Sequence, residues 1–349
     1  MLRYLFYFTL FGFLACKNAS QPEVTDFGQA PLATVDQFQT LETIAFGSCN
    51  HEDLPQPLWD VIGNQNPNLW IWLGDNIYGD TNDMAVMKAK YDKQSSKKEY
   101  AAFRQKTPVI GIWDDHDFGL NDGGKEFGPK DQSKQLMFDF LGVSSDAPQR
   151  SRAGAHSSYT FGPEGKKVKI ILLDARWFRD KIVKVGGVYQ SNEEGTVLGK
   201  EQWQWFENEL KNSDAQVHLI GCGIQMIPED HRFEKWANFP NERKRLIELL
   251  KLEQPKGLIL LSGDRHIGEF SSLKDETGVF NIFEITSSGL THSYEEVGDE
   301  PNRHRVGDLT GEKNFGLLHI DWSTSPPQLK VELRGEENQL IATTKVNGE

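Results

Sequence analysis

The stretch PVIGIWDDHDFG, residues 108–119, joins a run of apolar residues directly to a cluster of titratable ones. The apolar part has the length and composition of a strand that is buried on both faces. Three aspartates and a histidine, residues 114–117, follow it, and such side chains repel one another and lose hydration energy when buried. Two explanations are open: a solvated turn, or a bound cation that draws the carboxylates together.

The same pattern, a short apolar run that ends in polar residues, occurs at five other places. Strands of this kind predict a sheet covered on both faces, and ligands of such sheets collect at the carboxyl ends of the strands. The runs are TIAFGSCN (43–50), NLWIWLGDNIY (68–78), VKIILLDAR (168–176), VHLIGCGIQ (217–225) and GLILLSGDRH (257–266).

Segments with helical spacing of apolar residues lie between several of these runs, which predicts an α/β fold. The helical segments are 83–94, 100–105, 134–143, 198–213 and 241–254. Farther along the chain, four runs have strand character without intervening helices, and we expect them to form a second sheet packed on the first. They are residues 279–290, 316–323, 328–335 and 339–346.

The composition indicates one large globular domain. The 349-residue chain is 38% hydrophobic and 11% aromatic, and no Pro/Ser/Gly-rich linker divides its middle. We predict that the domain extends from residue 41 to residue 349. The formal net charge of −13 argues against binding to a nucleic-acid backbone, because such proteins carry a basic face.

The N-terminus has the pattern of a bacterial lipoprotein signal. Arg3 precedes an apolar stretch, residues 4–14, that is too short to span a bilayer, and FLAC places Cys16 after a small residue. We expect cleavage of residues 1–15, lipidation of Cys16, and a polar tether over residues 16–40. The anchor predicts a membrane-attached protein of the cell envelope. A plain secretory signal cut nearby is the alternative.

Two strand ends carry pairs of residues suited to metal ions. Asp75 ends a strand and Tyr78 follows within one tight turn, and carboxylate and phenolate donors favour a strongly Lewis-acidic ion. Asp264 and His266 are two residues apart and share a face if the segment is extended. Each has an ordinary structural explanation, but one metal centre explains all such residues together. They are Cys49, Asp75, Tyr78, Asp115, His116, Gln225, Asp264 and His266.

The order GD-x-x-Y, DHD, a polar strand end and G-x-x-H resembles that of the calcineurin-like metallophosphoesterases, and more closely that of the alkaline phosphatase D (PhoD-like) family. The resemblance implies a four-layer α-β-β-α sandwich of two mixed sheets with a multinuclear metal centre that hydrolyses phosphate esters. The stretches that carry it are FGSCN (46–50), LGDNIYGD (73–80), WDDHDFG (113–119), LLDARWFR (172–179), LGKEQWQWFENEL (198–210), SGDRH (262–266) and EITSSGLTHS (284–293).

The resemblance implies an iron site at the first strand ends. It places Asp75 at the position of the bridging aspartate and makes Tyr78 and Cys49 ligands of Fe³⁺. A disulfide between Cys49 and Cys222 is the alternative in an oxidising compartment, and it would contradict the role of Cys49 as a ligand.

The resemblance also implies a second, harder metal site. Asp115 stands where the wider superfamily has Asn, Asp264 stands where it has His, and Gln225 occupies a position often held by His. His266, two residues after Asp264, is a further candidate ligand. Because oxygen replaces nitrogen among these donors, we expect one or two Ca²⁺ ions rather than Zn²⁺, with another divalent metal as the alternative.

The predicted reaction is the attack of a metal-activated hydroxide on phosphorus. His116 is the candidate to stabilise or protonate the leaving oxygen, and Arg176 and Arg265 are candidates to clamp the phosphate. For Arg176, an ion pair with Asp174 or Asp117 is the alternative. Three other functions stay open: a phospholipase-type phosphodiesterase acting on membrane lipids, a non-catalytic metal-binding surface lipoprotein, and a metal-free scaffold.

Two further features of the sequence lie near the predicted site. Residues 180–196, rich in Gly and Val, are either a lid or an ordinary long loop. His292, in SGLTHS, follows a predicted strand and is a weak candidate for the pocket.

Overall fold

The computed structural model describes residues 32–275, 278, 280–294, 297–298 and 300–346. The predicted signal peptide and Cys16 lie outside the described residues and stay predictions. Within the predicted tether, the Ala33 amide donates to the Arg104 carbonyl, and the Gln37 carbonyl accepts from the Gly162 amide. These contacts place Ala33 and Gln37 against the domain, and the predicted boundary at residue 41 stays a prediction.

The strands of the described residues form two large mixed sheets and one small hairpin. The first sheet has the spatial order β15 (Leu340–Lys345), β14 (Gln328–Arg334), β13 (Phe315–Asp321), β1 (Thr43–Gly47), β2 (Leu69–Leu73) and β3 (Val109–Ile112). The second has the order β12 (Arg305–Thr310), β10 (Gly268–Lys274), β11 (Asn281–Ser287), β9 (Leu258–Ser262), β8 (Val217–Cys222), β5 (Val168–Leu173) and β4 (Ser157–Phe161). The hairpin pairs β6 (Lys184–Val185) with β7 (Val188–Tyr189).

The helices follow the segments that the sequence predicts, with two additions. Residues 58–63 and 115–118 form short helices that the sequence analysis did not predict. The helices are α1 (Leu58–Gly63), α2 (Met84–Ser95), α3 (Lys98–Arg104), α4 (Asp115–Phe118), α5 (Lys130–Phe140), α6 (Gly199–Lys211) and α7 (Pro240–Glu253). No helix in the described part of the chain is both long and apolar enough to cross a membrane.

Successive side chains of the central strands point to opposite faces of the sheet and enter two different cores. One core lies between the two sheets and the other lies under the helices, which produces the layers. In β5, Ile170 and Leu172 belong to the core shared by both sheets, whereas Ile171 and Leu173 pack with α6 and α7. On the outer face of the first sheet, α1 and α3 place an aromatic cluster that includes Trp59 against Trp70. Both faces of both sheets are therefore covered in their centre, as the unbroken apolar runs indicate.

The prediction that the late strands form a separate second sheet is wrong. β13 pairs antiparallel with β1, β14 pairs with β13, and β15 pairs with β14, so these three strands extend the first sheet. β10, β11 and β12 extend the second sheet beside β9. The physical reason is that the early parallel strands leave open sheet edges. Antiparallel β13 covers the edge of the first sheet at β1, and β11, which is parallel to β9, covers the edge of the second.

The loops that follow the parallel strands of the two sheets meet at one end of the sandwich. An added Cβ at Gly223, after β8, would lie 2.2 Å from Oδ1 of Asp114, after β3. One at Gly263, after β9, would lie 2.5 Å from Oγ of Ser48, after β1. Glycine at these two positions lets the strand ends of the two sheets approach within contact distance.

We predict that Gly223→Ala destabilises the fold by about 1–3 kcal/mol, because the new methyl group overlaps the Asp114 carboxylate. Urea unfolding measures the effect. Gly128→Ala is the matched control, since a Cβ there meets no atom within 4 Å. Equal unfolding midpoints for the two variants would contradict this account of how the strand ends pack.

Candidate metal centre

Four predicted ligands share an unusual backbone conformation at the strand ends. Cys49 (φ 60°) follows β1, Asp75 (φ 49°) follows β2, and Asp264 (φ 67°) and His266 (φ 53°) follow β9. Non-glycine residues in this left-handed region cost about 1–3 kcal/mol each and persist where the surrounding structure holds them. These four residues follow three strands, which belong to two different sheets. All four side chains belong to the ligand clusters described next.

Cys49, Asp75 and His266 form the first ligand cluster. One potential ligand atom from each lies within 4.8 Å of the others, and the Cys49 Sγ is 3.4 Å from Oδ2 of Asp75. The Tyr78 hydroxyl is 2.9 Å from Nε2 of His266 and 3.0 Å from Nε2 of His292. The structure therefore brings together a thiol, a carboxylate, a phenol and imidazoles, which is a donor set suited to a transition metal.

Four carboxylates form the second cluster. One oxygen from each of Asp75, Asp114, Asp115 and Asp264 lies within 4.8 Å of the others. Asp75 belongs to both clusters, so its carboxylate has the position needed to bridge two ions. Oδ2 of Asp114 is buried without a hydrogen-bond partner among the described residues. These residues fit a cation site.

The pKa shifts show that this cluster does not stay fully ionised without protons or cations. Burial and neighbouring carboxylates raise the pKa of Asp75 and of Asp264 well above the usual range. Burial also raises the pKa of Asp114 to about 7, although Arg176 opposes the shift. Four carboxylates this close cannot all be ionised without added positive charge. Either bound protons or a bound cation supplies it.

The acidic run after β3 is not a solvated turn. Asp114, Asp115 and Asp117 are 1%, 3% and 0% exposed. Asp117 accepts hydrogen bonds from the Asp114 amide at 2.7 Å and from the Asn76 side chain at 2.6 Å, so it orders the loops rather than joining the ligand clusters. The sequence does not distinguish Asp117 from its neighbours, because the difference lies in contacts to another strand end.

His116 is held beside the carboxylate cluster by Asp80, which the sequence analysis did not single out. Nδ1 of His116 is 2.8 Å from the Asp80 carboxylate. Burial disfavours the imidazolium, but Asp75 and the hydrogen bond that His116 donates to Asp80 outweigh burial and raise the pKa of His116 to about 11. Because Asp80 holds Nδ1, a transferable proton of this imidazolium lies on Nε2.

Gln225 lies beneath the site in a hydrogen-bonded network. Its Nε2 donates to Glu269 at 2.6 Å and to Thr286 at 2.8 Å, and its Oε1 accepts from Arg265 at 3.0 Å. The amide therefore orients Arg265. Its role as a metal ligand stays a prediction that depends on the remaining lone pair of Oε1.

The structure favours the ion-pair alternative for Arg176, although with partners other than Asp174 or Asp117. The buried guanidinium donates from Nε to Asp114 at 2.7 Å and from Nη1 to Glu234 at 2.9 Å. Its Nη2 is buried without a hydrogen-bond partner among the described residues. The charge of Arg176 stabilises the acidic cluster, and its role as a phosphate clamp stays a prediction.

Arg265 lines a cavity that opens beside the carboxylates. The cavity has a volume of ≈ 230 Å³, and Asp115, His116, Asp264 and His266 also line it. The Arg265 guanidinium lies 4.3 Å above the ring of Phe233, which forms part of the same wall. Larger cavities exist in the described structure, but this one brings the candidate ligands together with an arginine and a histidine.

Two acidic residues beside the site were not identified from the sequence. An oxygen of Asp122 and one of Glu234 lie within 4.8 Å of an oxygen of Asp115. Neither Asp122 nor Glu234 follows a strand, so the strand-end pattern gives no signal for them. His292 does reach Tyr78, as the position of SGLTHS suggests.

The two cysteines of the domain do not pair. Cys49 and Cys222 are both free and buried, and Cys222 accepts a hydrogen bond from the Trp236 indole at 3.4 Å. The disulfide alternative is thus wrong, and Cys49 remains available as a ligand.

Comparisons with known proteins bear on the family and the fold of the chain. A family model for PhoD-like phosphatases matches residues 44–314 of the chain. Alkaline phosphatase D of Bacillus subtilis strain 168 is 26% identical over 307 residues, which cover 75% of this chain and 50% of that protein. This chain therefore spans about half the length of that curated relative.

Solved structures share the fold. The structure of PhoD superimposes with a TM-score of 0.70 at 18% identity, covering 90% of this chain and 70% of that chain. A dimetal phosphatase from Danio rerio superimposes with a TM-score of 0.56 at 14% identity, covering 88% of this chain and 99% of that chain. These likenesses confirm the predicted fold of two mixed sheets flanked by helices.

We predict that metal retention weakens as the pH falls. Burial raises the pKa of the Cys49 thiol, the Tyr78 phenol and the Asp75 carboxyl well above their ordinary values, so each must lose a proton when it binds an ion. Protons and metal therefore compete, and affinity rises with pH. Elemental analysis after dialysis at about pH 6 and about pH 8 tests this, and equal metal content at both values would contradict it.

Proposed function

We propose that this chain, which belongs to the PhoD-like phosphatase family, hydrolyses phosphoric esters with the help of bound metal ions. The observation that carries the proposal is the position of Asp75, which belongs to a thiol–imidazole cluster and to a carboxylate cluster at once. A carboxylate shared by two ligand sets is the arrangement that a two-metal hydrolase needs.

The two clusters suggest different ions. A thiol and a phenol beside Asp75 suit Fe³⁺, and the carboxylate cluster suits one or two Ca²⁺ ions, since calcium prefers oxygen ligands. When bound, the ions polarise the phosphoryl oxygens and lower the pKa of water. We assign Cys49, Asp75, Tyr78 and His266 to iron. We assign Asp75, Asp115, Gln225 and Asp264 to the second site.

The residues of the chain supply orientation and a proton. His116, held at Nδ1 by Asp80, donates from Nε2 to the leaving oxygen as the ester bond breaks. Arg265 lines the cavity opposite and binds the phosphoryl oxygens through its guanidinium, which Gln225 orients. Burial of these groups strengthens their interaction with the charge that develops on the phosphate.

A second candidate substrate class is the phospholipid headgroup. Phe233 and Tyr294 line the cavity with aromatic surface, which suits an ester with a bulky organic part. The proposed lipid anchor at Cys16 would place the enzyme at a membrane of the cell envelope. Rates on p-nitrophenyl phosphate, bis-p-nitrophenyl phosphate and phosphatidylcholine rank these substrates, and metal binding without turnover of any ester would support a binding lipoprotein instead.

We predict that Asp75→Asn lowers both metal content and phosphoesterase turnover by at least about a hundredfold. Replacing a residue that only orients a metal ligand already costs about 10- to 100-fold in metal affinity or activity. Replacing this carboxylate removes the only side chain common to the two described clusters. Circular dichroism checks that the fold persists. The control is Asp131→Asn, whose side chain is 74% exposed. Turnover near the wild-type rate for Asp75→Asn would refute the bridging role.

We also predict that the active protein contains iron and calcium and absorbs visible light through charge transfer from tyrosinate to Fe³⁺. Tyr78→Phe removes the phenolate donor, so the visible band should disappear while calcium is retained. Elemental analysis and absorption spectra of both proteins measure this. A colourless preparation that is fully active without iron would remove Fe³⁺ from the proposal.

A further inference from the structure

The hairpin of β6 and β7, residues 184–189, forms one wall of the cavity beside the candidate metal centre. Lys184 and Tyr189 line this cavity together with Asp115 and His116. Nothing in the proposed chemistry uses either side chain. From the sequence, residues 180–196 are either a lid or an ordinary long loop. The position of the hairpin beside the cavity indicates a more specific role.

The register of the hairpin separates its two faces. Lys184 pairs with Tyr189, and Val185 pairs with Val188, across a turn in which Gly186 and Gly187 both have positive φ. Successive residues of a strand point to opposite faces, so the Lys184–Tyr189 pair faces the cavity and the valine pair faces away. Val185 and Val188 are accordingly 61% and 52% exposed.

One carboxylate holds both inner side chains in place. Asp122 accepts from the Lys184 ammonium at 2.6 Å and from the Tyr189 hydroxyl at 2.6 Å, and the ammonium lies 4.2 Å from the centre of the Tyr189 ring. The Asp122 amide in turn donates to Oδ2 of Asp115 at 2.7 Å. The ring of Tyr189 is thus fixed close to a candidate metal ligand.

The two cations Lys184 and Arg265 on the cavity wall are paired with carboxylates, so the hairpin adds no net positive charge to the site. Lys184 pairs with Asp122, and Arg265 donates to Glu300 at 2.6 Å. This wall therefore distinguishes esters by their organic groups rather than by their charge. Aromatic surface is abundant instead, because Tyr189 adds to Phe233 and Tyr294 on the cavity wall.

We propose that the ring of Tyr189 binds the organic group that phosphorus retains in a phosphodiester, with Lys184 and Asp122 as positioning residues for that ring. The hairpin then selects diesters over monoesters, which lack this group. This inference rests on the proposed ester hydrolysis and adds the part of the protein that recognises the substrate.

The test compares p-nitrophenyl phosphate with bis-p-nitrophenyl phosphate as substrates of the full-length, metal-loaded protein. Tyr189→Ala should raise KM for the diester about tenfold and leave KM for the monoester within about twofold, with kcat for both nearly unchanged. Tyr189→Phe keeps the ring and loses only the hydroxyl, so it should retain most of the diester affinity. Lys184→Met should give a smaller rise that is also confined to the diester.

Val185→Ala, on the outer face of the hairpin, is the matched control and should change neither KM. Equal effects of Tyr189→Ala on both esters, or a fall in kcat without a change in KM, would overturn the proposal and indicate that the hairpin acts only through Asp115. If the wild-type protein hydrolyses neither ester, the proposed function fails as well. Elemental analysis of each variant separates these outcomes from loss of metal.

Discussion

The structure depends on the crowding of buried carboxylates around Asp75. Within one small volume, oxygens of four aspartates approach one another to less than 4.8 Å, and burial removes the water that would otherwise screen them. Arg176 offsets part of this negative charge from one side, through Asp114. The remaining excess is stable only in the presence of protons or cations, and the thiol, phenol and imidazoles beside it are typical ligands of the latter.

The architecture brings these groups together by directing the carboxyl ends of two sets of parallel strands to the same place. β1, β2 and β3 deliver ligands from one sheet, and β9 delivers them from the other. Gly223 and Gly263 allow the loops to touch, so the spacing of the site is set by backbone packing rather than by flexible side chains. The layers of helices and the shared core keep the two sheets at that distance.

Much of the fold and of the candidate site was predictable from the sequence, because each parallel strand is an unbroken apolar run that stops at a polar residue. Cys49, Asp75, Asp115 and His266 stand at such ends, and the structure gathers them. The strand-end pattern gives no signal for Glu234 or Asp122, which come from loops without a preceding strand, and it does not show that Arg176 pairs with Asp114 and Glu234. The late strands were assigned to the wrong sheet because pairing partners are a long-range property, which local periodicity does not contain.

The left-handed backbone of Cys49, Asp75, Asp264 and His266 has an evolutionary consequence. At each of these positions glycine would relax the main chain and would stabilise a protein that had no use for ions. A descendant freed from catalysis would therefore drift toward glycine there. The side chains at all four sites therefore keep main-chain strain that glycine would relieve.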